Sequence, residues 1–176
     1  MKSLMFKFCD CKDVLELDTS MVEDMYWCFY NSWSIHSLDL TSWNVSNVKT
    51  MDHCFCNCMS LCALDVSNWN TSSLENMERC FTNCVSLQYL DLSSWNVSNV
   101  EDMNNCFMSC ISLVYLNIEN SVINERCNTK DMFNECDNLS LIKCRQDTFE
   151  KIKGSLKGVW EYENGFATKI SMINGE

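Results

Sequence analysis

Proline is absent from the 176-residue chain, and glycine occurs four times, three of them after Lys157. Turns before that point must rest on Asn, Asp and Ser, whose side chains bend the backbone through local hydrogen bonds. Histidine is limited to His36 and His53, and no nucleophile elbow, phosphate-binding glycine loop or HExxH motif is present. Nothing assembles the usual parts of a catalytic centre. The expectation is a chain that is not an enzyme and uses no cofactor. No apolar run approaches the roughly 18 residues of a membrane span, which argues against membrane insertion. The opening MKSLMFKFCDCKDV lacks the apolar stretch and small-residue cleavage site of a secretory signal, so a soluble, cytoplasmic protein is expected. Positive charge is scarce as well. Residues 1–141 hold 7 Lys and Arg against 19 Asp and Glu, net −12, while residues 142–176 hold 6 against 5, net +1. An acidic body lacks the basic footprint that nucleic acid or an anionic membrane requires.

What the chain has instead is a repeat. Leu38 begins LDLTSWNVSNVKTMDHCFCNCMSLCA, Leu64 begins LDVSNWNTSSLENMERCFTNCVSLQY, and Leu90 begins LDLSSWNVSNVEDMNNCFMSCISLVY, a period of 26 residues without slip. Leu116-Asn117-Ile118 opens a weaker fourth copy that ends in Met132 to Leu139. Upstream, Met5-Phe6-x-x-Cys9 matches Cys54-Phe55-x-x-Cys58, and Cys28-Phe29 falls back into register after a deletion. The chain thus opens partway through a unit and carries Phe6, Phe29, Phe55, Phe81, Phe107 and Phe133 at one repeat position. A fixed period of this size marks stacked units that bury their apolar faces against one another.

Two periodicities alternate within a unit. Leu38-Asp39-Leu40 reads as a short strand with its leucines inward. From Val48 onward, Val48, Met51, Phe55 and Cys58 fall at helical spacing on one face. Ser20-x-x-Glu23, Ser72-x-x-Glu75 and Ser98-x-x-Glu101 read as capping boxes that start such helices. The expected fold is an α/β solenoid with one short parallel strand and one short helix per 26-residue coil, spanning residues 1–144. After Cys144 the pattern ends. Asp147 to Leu156 predicts a helix with Phe149, Ile152 and Leu156 on one face, and Val159 to Ile173 a hairpin about Asn164-Gly165. Residues 145–176 are read as a C-terminal cap.

The run Leu-Asp-Leu-x-x-Trp-Asn-Val-Ser-Asn-Val-x-x-Met-x-x-Cys-Phe-x-x-Cys-x-Ser-Leu resembles the repeat of BspA-like leucine-rich-repeat surface proteins, over about residues 5 to 142. The resemblance implies a right-handed leucine-rich solenoid, no catalytic centre, and protein binding in adhesion or host interaction at a cell surface. That family usually has Met before Phe, as at Met5 and Met132, whereas Cys28, Cys54, Cys80 and Cys106 stand there in this chain.

Fourteen cysteines admit several roles. Most fall on ladders, Cys28/Cys54/Cys80/Cys106 and Cys58/Cys84/Cys110/Cys136, and read as small buried hydrophobes, mostly reduced. Partners one coil apart sit too far from one another to be bridged easily. Another possibility is a metal or thiol-redox centre at His53, Cys54, Cys56, Cys58 and Cys62, although the repeat already explains Cys54 and Cys58. Sequons at Asn44, Asn70 and Asn96 share one repeat position, with a fourth at Asn138, and read as a by-product of the turn there.

Three function classes follow: a protein-binding solenoid, the cysteine-rich metal or redox protein, and a structural fragment of a longer array. The first is preferred. Its binding face is the outward side of the strands, where Asp39, Asp65 and Asp91 form a column, with Tyr89, Tyr115 and Asn117 beside them. Like charges in a column cost stability unless neutralised, and tyrosines concentrate interface energy. A cationic protein segment with an apolar anchor is the expected partner.

Overall fold

The computed structural model describes residues 17–170, and the expectations for Met5 to Cys9 and for residues 171–173 lie outside that range. The fold is mixed α/β, with sheets and little helix. Five three-residue strands recur at the repeat period: β1 (Ser37–Asp39), β2 (Ala63–Asp65), β3 (Tyr89–Asp91), β4 (Tyr115–Asn117) and β5 (Leu141–Lys143). Then come α1 (Gln146–Ile152), a 3-10 turn (Lys153–Ser155), β6 (Val159–Glu163) and β7 (Phe166–Ile170). β1 and β2 pair in parallel, Leu38 opposite Leu64 and Asp39 opposite Asp65. β3, β4 and β5 also pair in parallel, and β7 continues their sheet antiparallel to β5 with β6 beyond it. The predicted terminal helix and hairpin are present: Phe149 and Ile152 are buried, and Asn164-Gly165 forms the turn, both residues at positive φ.

The helix expected inside each repeat is not there. Among the described residues the only α-helix is α1. An α-helix satisfies itself through bonds from each amide to the carbonyl four residues back. Here the amides alternate. Met51, His53, Phe55 and Asn57 donate to Asn76, Glu78, Cys80 and Thr82 of the following repeat, at 2.8 to 2.9 Å. Between them Cys54, Cys56 and Cys58 donate three residues back, to Met51, His53 and Phe55. The same eight-residue arrangement starts at Met25, Met77 and Met103. It requires left-handed backbone at two non-glycine residues per repeat, such as His53 (φ 55) and Asn57 (φ 63), then Arg79 (φ 51) and Asn83 (φ 60). The capping boxes accordingly cap nothing; the Ser98 hydroxyl turns back to the Asn96 side chain instead.

Helical spacing nevertheless marked the inward positions correctly. Met51, Cys54, Phe55 and Cys58 are each fully buried. Along the repeats Phe29, Phe55, Phe81, Phe107 and Phe133 stack ring on ring at centroid spacings of 5.3 to 5.4 Å. Trp43, Trp69 and Trp95 stack beside them at 6.4 and 5.6 Å. Parallel offset stacking of this kind adds about 0.5–1.5 kcal/mol per pair to the burial itself. The second cysteine ladder bonds as well as packs. Cys58, Cys84, Cys110 and Cys136 donate their thiols to the carbonyls of Phe29, Phe55, Phe81 and Phe107, at 2.9 to 3.3 Å.

Corners are closed as the missing proline and glycine demanded. At the strand exits, Asp39, Asp65, Asp91 and Asn117 each accept the amide two residues on through Oδ1. Asn44, Asn70 and Asn96 do the same at the next corner. Asn76, Asp102 and Asn128 do so again where the repeats form isolated parallel bridges. Such side-chain turns bend the chain with no special backbone residue.

Candidate binding face

The outward residues of the strands are where alternation placed them. Asp39, Asp65 and Asp91 are exposed, and Tyr89 is 64 % exposed beside the half-buried Tyr115, its register partner. Asn117 is not on the surface. It is buried, and its side chain donates to Asp91 at 3.1 Å while accepting from the Glu119 amide at 3.1 Å. It belongs to the support of Asp91, a correction to its expected role. Lys143 on β5 is bonded to Glu119, so the cation nearest this face is already engaged.

The aspartate column is interrupted. Asp39 and Asp65 are opposed in the β1–β2 ladder, but β2 and β3 share no ladder. Leu40 donates to Asp65, and Leu92 to Asn117, whereas the corresponding bond from Val66 to Asp91 is not made among the described residues. Over this seam lies an open groove of about 520 Å³, bordered by Asp39, Leu64, Asp65, Val66 and Asp91. Leu64, which was expected to be fully inward, is only partly buried there. The groove therefore has an apolar floor and three carboxylates on its rim.

Two of those carboxylates, Asp39 and Asp91, are held ionised. Bonds from the Thr41 hydroxyl and amide keep the Asp39 carboxyl below the usual carboxylate range. Partial burial pushes Asp91 up, but bonds from Ser93 and Asn117 and the charge of Lys143 outweigh it and leave that carboxyl lowered.

The metal alternative does not assemble. Cys54 and Cys58 point into the core, the Cys62 thiol bonds the His36 carbonyl, and the His53 ring contacts Asp52. Among the described residues no group of three or more His, Cys, Asp or Glu is placed to hold a metal. None of the twelve described cysteines is in a disulfide, and only Cys62 is exposed.

One cluster escaped the sequence reading. Tyr26, Trp27 and Tyr30 stack in a row, with centroids 4.6 and 5.2 Å apart, and each meets the His53 ring edge-on at 6.1 to 6.2 Å. The signal was present: these aromatics occupy repeat positions that hold Asp52, His53 and Cys56 one period later.

Against families of known proteins, a family model described as "Mycoplasma protein of unknown function, DUF285" matches the chain over residues 2–89 and 23–144. No curated protein matches the chain, and no solved structure does. Among the described residues no helix is long and apolar enough to cross a membrane.

Proposed function

Taking as premise that the chain belongs to the DUF285 family of Mycoplasma proteins of unknown function, we propose that it is a non-enzymatic binding protein built as a leucine-rich solenoid of the BspA-like kind. Residues 17–144 form the stack and the α1–β6–β7 segment caps its end. The cross-bonded repeats support the solenoid reading, because each unit leaves half its turn-segment amides to be satisfied by the next one. The partner is a cationic protein segment carrying an apolar anchor.

The observation that carries this reading is the groove over the β2–β3 seam. It combines an apolar floor at Leu64 with three rim carboxylates, two of them held ionised, and Tyr89 stands exposed on the same strand as Asp91. Exposed charges steer a partner in a salt-dependent manner, while the tyrosine and groove floor supply desolvated contact area.

The test uses a fluorescently labelled peptide of alternating Lys and Leu, followed by anisotropy. Asp39, Asp65 and Asp91 are changed together to Asn, which removes the charge and keeps the Oδ1 acceptor each corner needs, at the loss of the Asp91 Oδ2 acceptor used by Asn117. Tyr89 and Tyr115 are changed together to Ala. Binding that falls as salt rises, and that both variants weaken, is expected. Equal binding by the wild type and both variants would remove this face from consideration.

A further inference from the structure

Hydrogen bonds between the turn segments all run one way. In the segments that start at Met25, Met51, Met77 and Met103 the amide belongs to the earlier repeat and the carbonyl to the later one, whereas just ahead of them Lys49, Glu75, Glu101 and Asn128 donate back to Glu23, Lys49, Glu75 and Glu101. Aligned peptide dipoles sum, as they do in a helix, and leave partial positive charge where the N–H groups end. That end is the last repeat. Thr129, Asp131 and Phe133 occupy the donor positions of Met103, Asn105 and Phe107 one period earlier, yet their amides meet no acceptor among the described residues.

The chain returns opposite this edge but does not close on it. A cavity of about 360 Å³ separates Thr129, Asp131 and Phe133 from Gly154–Lys157. A Cβ built on Gly154 would meet nothing within 4 Å, which confirms open space on that side. Lys130, Lys151 and Lys157 line the same cavity. Lys151 bonds the Glu125 carbonyl and Lys157 pairs with Asp137, so two of the three are held in place. Asp131 is the one carboxylate of the lining and opposes them.

The geometry points to an oxyanion site of the phosphate class at this end of the stack, with the amides of Thr129, Asp131 and Phe133 as donors and the three lysines as charge. Unpaired backbone amides and lysines bordering one concavity are the groups that bind phosphate elsewhere in proteins. The site lies at the opposite end of the charge pattern from the acidic groove, and it stands whether or not the groove binds a cationic segment.

Inorganic phosphate is titrated into 15N-labelled protein, with chloride at matched ionic strength as control. Saturable shifts confined to the amides of Thr129, Asp131 and Phe133 and their neighbours are expected with phosphate alone. Gly154→Leu fills the cavity at a residue without left-handed backbone, and the combined Lys130→Gln, Lys151→Gln, Lys157→Gln variant removes the charge. Each is expected to raise the phosphate Kd by about tenfold or more, the weakening that follows loss of one or two charge-assisted bonds. Circular dichroism confirms that both variants fold, and a third, Lys130→Gln alone, serves if either does not. O-phosphoserine titrated in parallel identifies the source: tighter binding than inorganic phosphate means a group carried on a larger molecule, and equal binding means the free ion. Absence of saturable shifts, or shifts unchanged in the folded variants, overturns the site.

Discussion

Trp69 and Trp95 stack 5.6 Å apart at the same repeat position, yet only one indole finds a hydrogen-bond acceptor. Trp69 Nε1 donates to the Leu40 carbonyl at 2.9 Å, whereas Trp95 Nε1 is buried without a partner. The acceptor that repetition would assign to Trp95 is the carbonyl of Val66, which lies where β2 and β3 fail to pair. The open seam therefore reaches from the groove into the core.

A buried donor without an acceptor costs about 1–3 kcal/mol, and removing it forfeits no bond. Trp95→Phe is therefore expected to be less destabilising than Trp69→Phe, by about 1 kcal/mol or more. Denaturant unfolding of the two variants measures the difference. Equal losses would mean that the Trp95 indole is satisfied in solution.

Left-handed backbone at ordinary residues gives a second expectation. Arg79 sits at φ 51 and is partly exposed, and its side chain makes a 3.6 Å contact with Glu78. Glycine adopts that conformation without strain, and a β-branched residue tolerates it badly. Arg79→Val should lower stability by about 1–2 kcal/mol while Arg79→Gly leaves it near or above the wild-type value. A helix through this segment would reverse the order, since glycine is the poorer helix former. Thermal unfolding of both variants decides between them.

How much was legible follows from these same residues. The period, the strand phase, the inward ladders and the terminal hairpin could be read because each rests on local chemistry: alternation, Asx turns, Asn-Gly. The turn segment could not. Its inward residues Met51, Phe55 and Cys58 recur at spacings of 4 and 3, the signature of a helical face, although the backbone bonds run to the next repeat. Side-chain period reports which face is buried and says nothing of where the amides donate. The buried position of Asn117 was hidden for a related reason, since it differs from Asp39, Asp65 and Asp91 only in the side chain that bonds its neighbour. The seam is a relation between two repeats of nearly identical sequence, and no single residue announces it.

The buried thiols carry a pH signature. Burial pushes Cys56 up to about 12 and Cys127 and Cys144 up to about 11, from an ordinary value of 9.0. A thiol whose folded-state pKa is raised stabilises the fold fully below its unfolded value and loses that contribution as pH climbs to the folded one. The thiol contribution should therefore be flat below about pH 8, and stability should fall between about pH 9 and pH 12, as the unfolded chain releases protons that the fold retains. Melting temperature against pH measures it. Thiol reagent at neutral pH should meanwhile modify Cys62 rapidly among the described cysteines and reach the buried ones only on unfolding.

The most direct measurement is a map of the peptide's footprint. Amide shifts of 15N-labelled protein are followed as the alternating Lys-Leu peptide is added at low ionic strength. Binding on the strand face predicts the largest changes at Leu64, Asp65, Val66 and Tyr89 to Asp91, on either side of the seam, fading as salt is raised. Changes centred instead on Tyr26, Trp27, Tyr30 and His53, with the seam residues unmoved, would contradict it and place the binding surface on the aromatic row.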